Sequence, residues 1–133
     1  MIYGIGTDVC SIARMRAAVQ RHGVRFAQRV LGPAEQQEYA RRLALVEQRG
    51  INYLATRFAA KEAFAKAIGL GLHAPMRWRD CEIVKLPSGQ PTVVLHGALS
   101  DWCAARALRF LVSVSDEADT ALATVVAEVV AAG

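Results

Sequence analysis

Two carboxylates, Asp8 and Glu62, offer the chain's clearest chemistry. Asp8 closes a short apolar run beside Gly4-Ile5-Gly6, and Glu62 lies inside the longest helical pattern. Magnesium takes oxygen ligands and is often held by one or two carboxylates together with substrate phosphates. Carboxylates from two separate elements could supply such a site. The structural alternative is that Asp8 caps the next helix and Glu62 pairs with Lys66 on the surface, a contact worth about 0.3–0.5 kcal/mol. Spacing leaves both open.

Cations surround Glu62. Arg57 and Lys61 are four residues apart, as are Glu62 and Lys66, and residues four apart share a helix face. Glu62 beside Lys66 suits a metal ligand next to a phosphate-binding ammonium. Alanines at 59, 60, 63, 65 and 67 would let a ligand or another backbone come close, although alanine is also the best helix former. A third set is Arg14, Arg21 and Arg25. If one helix ran through Gly23, about 100° per residue would place these arginines within about 40° of one another, opposite Ile12, Met15 and Val19. That is a solvated polar face or a docking ridge for an acidic partner.

The elements that must position these residues follow from pattern. Ile2–Val9 predicts a strand, and Ser11 a helix N-cap before Ile12. Gly23 closes that helix, and Val24–Leu31 forms a short amphipathic piece. Pro33 suits a first helical position, Ala34–Gln48 a helix and Gly50 its stop. Asn52 then caps a helix running to Gly69. Cys81–Leu86 and Thr92–Leu95 predict strands around the turn Pro87-Ser88-Gly89-Gln90, and Ala98–Ala107 a helix. Leu108–Val114 and Thr120–Val130 predict the last strands, joined at Asp116–Asp119. Both are apolar at nearly every position, as in strands covered on two faces. In a small domain, helices can cover one face and a partner subunit the other. This order of elements is α+β.

Composition sets the limits. The 133 residues suit a single domain spanning 1–133, and 53% apolar against 21% charged residues excludes disorder. A mean hydropathy of +0.22 leaves apolar surface for a subunit interface. The N-terminus lacks a signal-peptide pattern, and Ala121–Ala132 is too short to span a bilayer, so no membrane role is expected. Three cysteines without a C-x-x-C pair fit reduced, buried thiols in a cytoplasm. Net charge +4 attracts nucleic acid, anionic lipid, nucleotide phosphates or an acidic protein. With 7% aromatics and no aromatic–basic interleaving, base stacking is disfavoured and no nucleic-acid partner is expected. Gly4-Ile5-Gly6-Thr7-Asp8-Val9 lacks the third glycine of a dinucleotide fingerprint, and the three histidines have no zinc-ligand spacing.

Two segments resemble holo-acyl-carrier-protein synthases. Gly4-Ile5-Gly6-Thr7-Asp8-Val9 with Ile12 and Arg14 is similar to the family's opening, and the run from Arg57 to Gly69 is similar to its signature helix. The resemblance extends over the whole chain. It implies an α+β fold in which a small antiparallel sheet packs with a long helix and several shorter ones, trimer-forming. It implies magnesium-dependent transfer of the 4'-phosphopantetheine arm of coenzyme A to a serine of apo acyl-carrier protein, in the lipid metabolism of fatty acid biosynthesis. The other product would be adenosine 3',5'-bisphosphate.

Carried over by residue, Asp8 and Glu62 match the magnesium ligands. Lys66 and Arg57 match phosphate contacts, with Asp8, Glu62 and Lys66 the catalytic set. Glu62, or a metal-bound water it orients, would take the serine proton. Gly89, Pro91, Ser113 and Ser115 fall in the implied coenzyme A site. Arg14, Arg21 and Arg25 match the helix that docks the acidic carrier. This chain departs from the family at Gln90, where many members have lysine, and at Asp116, where many have histidine. Both changes remove positive or protonatable groups from that site. Two other readings stand beside this one: a non-catalytic basic binding module and an inactive family member.

Overall fold

The structure is a computed structural model and describes residues 1–131; the last two residues of the expected domain, the first of them also the end of the apolar stretch Ala121–Ala132, lie outside them. Its elements are β1 (Ile2–Ser11), α1 (Ile12–His22), α2 (Val24–Val30), α3 (Pro33–Leu45) and α4 (Glu47–Ile68). After a single 3-10 turn, Trp78–Asp80, come β2 (Cys81–Lys85), β3 (Pro91–Leu95), α5 (Gly97–Ala105), β4 (Leu108–Asp116) and β5 (Thr120–Val129). The α+β class is as expected. The strands, however, form two antiparallel sheets, β1-β5-β4 and β2-β3, where one was expected. Among the described residues, no helix is long and apolar enough to cross a membrane.

The core is α4 lying on the three-stranded sheet. Strand side chains alternate between faces, and β1 turns Gly4, Gly6, Asp8 and Cys10 toward the helix side. A Cβ on Gly4 would sit 2.0 Å from Ala67 O, and one on Gly6 1.9 Å from Ala63 O. Two backbones therefore meet there, and the alanines of α4 serve the approach of β1. Phe64 of α4 stacks on Phe110 of β4 with ring centroids 4.7 Å apart. The consequence for function is positional: Asp8, two residues beyond Gly6 on the same face, is held against α4.

Several expected boundaries moved. The chain breaks at Val46 in extended conformation, and α4 begins at Glu47 rather than at Asn52. Gly50 does not stop a helix. A Cβ there would meet Leu43 Cδ2 at 2.3 Å, so close α3–α4 packing outweighs its poor helix propensity. Gly23, at φ 63°, does end α1. Arg25 consequently lies on α2, and the single ridge expected from Arg14, Arg21 and Arg25 is broken.

Nor are the last two strands covered twice within one chain. Alternate residues of β4 and β5 face α4, while Leu111 and Leu122 look outward beside Ile5 and Val9 of β1. Helices thus cover one face of the sheet, and its other face is exposed, with these apolar side chains beside Thr7, Thr124 and the Arg109–Glu128 ion pair.

Candidate active site

Asp8, Glu62 and Lys66 come together where β1 crosses α4. Lys66 Nζ donates to Asp8 Oδ1 at 3.1 Å and to the Thr7 carbonyl at 3.0 Å. Both structural alternatives fail here: Ser11 Oγ, not Asp8, accepts from Arg14 N at 3.2 Å to cap α1, and Lys66 reaches across to Asp8 rather than pairing with Glu62. Glu62 is half-buried one helical turn before Lys66, on the same face.

The surroundings of Glu62 shift its titration. Burial raises the Glu62 pKa most, the nearby Asp8 charge adds to this, and the Trp78 indole and Lys66 draw it back. Trp78 Nε1 nonetheless makes no hydrogen bond of full geometry and is the one buried side-chain polar atom without a partner among the described residues. Burial and Asp8 also push Cys10 up to about 11, while burial foremost lifts Cys81 to about 12 and Cys103 to about 11. All three are buried free thiols, protonated at neutral pH and poor nucleophiles.

A divalent ion would find two carboxylates at this point, because no three His, Cys, Asp or Glu side chains cluster among the described residues. Two carboxylates with open positions for water and phosphate oxygens fit magnesium. They fall short of a closed structural metal site.

A cavity of about 570 Å³ opens between α4, the β2–β3 turn and β4. Arg57 forms part of its wall, with Gly89 and Gln90 from the turn, Pro91 from the start of β3, and Ser113 and Asp116 from β4. Ser115 is exposed on β4 and is not among the residues lining this cavity. Arg57 is nearly fully buried. Its Nε donates to Ile83 O at 3.3 Å, and its guanidinium lies 4.3 Å from the centre of the Tyr53 ring. Asp116 Oδ2 accepts from Asn52 Nδ2 at 3.3 Å. Arg42, Arg49 and Lys85 add positive charge to the walls, so the cavity stays cationic despite Asp116 and Gln90.

Lys61 has a different place from its neighbours. It is wholly buried, and its Nζ donates to Glu35 Oε1 at 2.6 Å, Cys81 O at 2.6 Å and Trp78 O at 2.8 Å. Glu35 accepts from Gly32 N and Ile83 N, and its own N donates to Glu82 Oε2. Glu82 Oε1 in turn lies 2.7 Å from His96 Nε2. This network ties α3 and β2 to α4 beneath the site. Sequence reasoning missed Glu35 and Glu82. The only local signal was Glu35 at the third position of α3, where an acid reaches back to the cap N–H.

The three arginines expected to dock a carrier are spread out. Arg14 borders a small cavity with Phe26 and Phe58, Arg21 is exposed in the last turn of α1, and Arg25 lines a separate cavity with Arg29.

Comparison with known proteins agrees with this geometry. The family model of the 4'-phosphopantetheinyl transferase superfamily matches residues 4–125. A holo-[acyl-carrier-protein] synthase of Acidovorax sp. is 61% identical over 128 residues, covering 96% of this chain and 98% of its own. The crystal structure of the Neisseria meningitidis holo-[acyl-carrier-protein] synthase superposes with a TM-score of 0.88 at 43% identity, covering 96% of this chain and 99% of that one. A Bacillus anthracis holo-(acyl-carrier-protein) synthase in complex with CoA (3',5'-ADP) gives a TM-score of 0.81 at 28% identity, covering 98% and 99%. The chain belongs to the 4'-phosphopantetheinyl transferase superfamily, and within it to the holo-acyl-carrier-protein synthases.

Proposed function

We propose that a single domain spanning residues 1–133 transfers the 4'-phosphopantetheine arm of coenzyme A to a serine of apo acyl-carrier protein. The observation that carries this is the meeting of Asp8 from β1 with Glu62 and Lys66 of α4, with the cationic cavity of Arg57 on the same helix. The serine oxygen forms a new bond to the phosphorus that carries the pantetheine arm. The pyrophosphate P–O bond breaks, and adenosine 3',5'-bisphosphate leaves.

Asp8 and Glu62 would hold magnesium, which supplies charge neutralisation on the pyrophosphate when bound. Lys66, already anchored on Asp8 and Thr7 O, donates to phosphate oxygens from a position fixed before substrate arrives. Glu62, or a metal-bound water it orients, would take the serine proton. Arg57, locked by Tyr53 and Ile83 O, presents a rigid positive wall to the coenzyme phosphates, and Gly89, Pro91 and Ser113 frame the same cavity. The coenzyme found in the Bacillus anthracis relative supports this assignment of the ligand.

The exposed apolar sheet face around Ile5, Val9, Leu111 and Leu122 serves as the contact of a homotrimer, which light scattering on the purified protein tests. Buried free thiols suit a reducing cytoplasm, and modification of an acyl-carrier protein is consistent with a role in fatty acid biosynthesis. The decisive experiment is incubation with coenzyme A, magnesium and apo carrier. A mass gain of one phosphopantetheine arm is expected; no gain refutes the proposal and favours an inactive relative.

A further inference from the structure

The indole N–H of Trp78 is buried and lacks a partner among the described residues. A buried donor left unpaired costs about 1–3 kcal/mol, so its place in the fold needs a reason. Two contacts fix where it points. The ring lies 5.4 Å from that of Phe58, and the Trp78 carbonyl accepts from the buried Lys61 Nζ at 2.8 Å. Lys61 and Glu62 follow Phe58 on α4 by three and four residues, so all three share one face of the helix. Trp78 is therefore laid along the strip of α4 that ends in Glu62.

Glu62 is the acid this N–H faces. Burial foremost raises the Glu62 pKa, the Asp8 charge adds to it, and the indole opposes both as a hydrogen-bond donor. The two groups stand within reach of each other but short of full hydrogen-bond geometry. Lys66 does not take the place of the indole, because it donates to Asp8 and to Thr7 O. The two carboxylates are thus attended by unlike donors. A cation bonded to Glu62 would repel a metal ion bound there. An indole donates one hydrogen bond, carries no charge and accepts nothing. It can orient one carboxylate oxygen while the full negative charge stays available.

We propose that Trp78 is a positioning residue of the active site: its indole N–H closes onto one oxygen of the Glu62 carboxylate and so fixes the direction of the other. This rests on Glu62 having the role proposed above. Groups that orient a metal-ligating side chain change metal affinity or activity by about 10–100-fold without touching substrate. The buried Lys61 enters the same arrangement, since its bond to the Trp78 carbonyl keeps the indole against α4.

The test reads the indole directly by NMR on isotope-labelled full-length protein. The chain has two tryptophans, and Trp102 on α5, stacked under Arg106, is the internal control. Trp78→Phe identifies the Trp78 indole signal. Glu62→Gln, which replaces a charged acceptor by an amide, should move that proton upfield and leave the Trp102 signal in place, with neither metal nor coenzyme present. In the transfer assay at saturating carrier, Trp78→Phe keeps a ring and loses the N–H. Its kcat should fall about tenfold, with KM for coenzyme A within about twofold of wild type and the melting temperature unchanged. A packing role alone would lower the melting temperature and spare kcat, and that result overturns the proposal. So does a Trp78 signal that Glu62→Gln leaves unmoved. Wild type that transfers nothing, while Glu62→Gln still moves the Trp78 signal, refutes the transferase proposal and leaves the contact standing.

Discussion

Lys61 and Lys66 lie on one helix, five residues apart, and have opposite fates. Lys61 is wholly buried, with three oxygen acceptors from Glu35, Trp78 and Cys81. Lys66 is mostly exposed and holds Asp8 at 3.1 Å. A charge whose every donor is satisfied inside the fold is structural, because disturbing it leaves its partner buried and uncompensated. A charge that is positioned yet still open to solvent can receive a ligand. The same contrast separates Glu35, enclosed by two backbone N–H groups and Lys61, from Glu62, whose orienting contacts are incomplete.

Breaking the buried side gives the largest loss of stability. Lys61→Met strands Glu35 without its cation and should cost about 3–5 kcal/mol, measured by denaturant unfolding. A loss below 1 kcal/mol would place Lys61 with Lys66 and erase the contrast. Next comes Gly6→Ala, whose Cβ would press on the carbonyl of Ala63. Overpacking of this kind costs about 1–3 kcal/mol, and transfer should fall together with stability because β1 carries Asp8 away from α4. Lys66→Met sharpens the comparison from the other side. Its exposed ion pair contributes less than about 1 kcal/mol to stability. Transfer, however, should fall by about 10²–10³ in kcat, the usual effect of removing one preorganised electrostatic contact.

The smallest effect belongs to a pair of neither kind. Glu38 accepts from Arg41 and Arg42, and the Arg41 hydrogen bond foremost holds its pKa at about 2, below the ordinary 4.5. A depressed carboxyl pKa stabilises the fold above the ordinary value, and that contribution disappears as pH falls from 4.5 toward 2. With solvent screening, Glu38→Gln should cost under about 1 kcal/mol at neutral pH, and the two proteins should converge in stability toward pH 2.

Local pattern made one half of this legible. Ser11 before Ile12, Gly23 and Pro33 mark helix ends through backbone chemistry that acts within a few residues, and all three stand where expected. The stretch from Arg57 to Lys66 announced itself by spacing and by resemblance. What spacing could not reveal was which of its charges would be buried, since that depends on partners 26 residues away for Lys61 and 58 away for Lys66. Gly50 was misread for the same reason: its requirement comes from Leu43 on the neighbouring helix, and propensity knows nothing of neighbours. The cations facing Asp116 were hidden likewise, drawn from α3, α4 and β2.

The central claim is that Glu62 is available for chemistry while Lys61, its neighbour, holds the fold. Glu62→Gln tests it in a single preparation. Apo carrier, coenzyme A and magnesium are incubated with each enzyme and the carrier mass is read, with melting temperature recorded in parallel. The account predicts a phosphopantetheine gain with wild type and none with Glu62→Gln at an unchanged melting temperature. Full transfer by Glu62→Gln would contradict it.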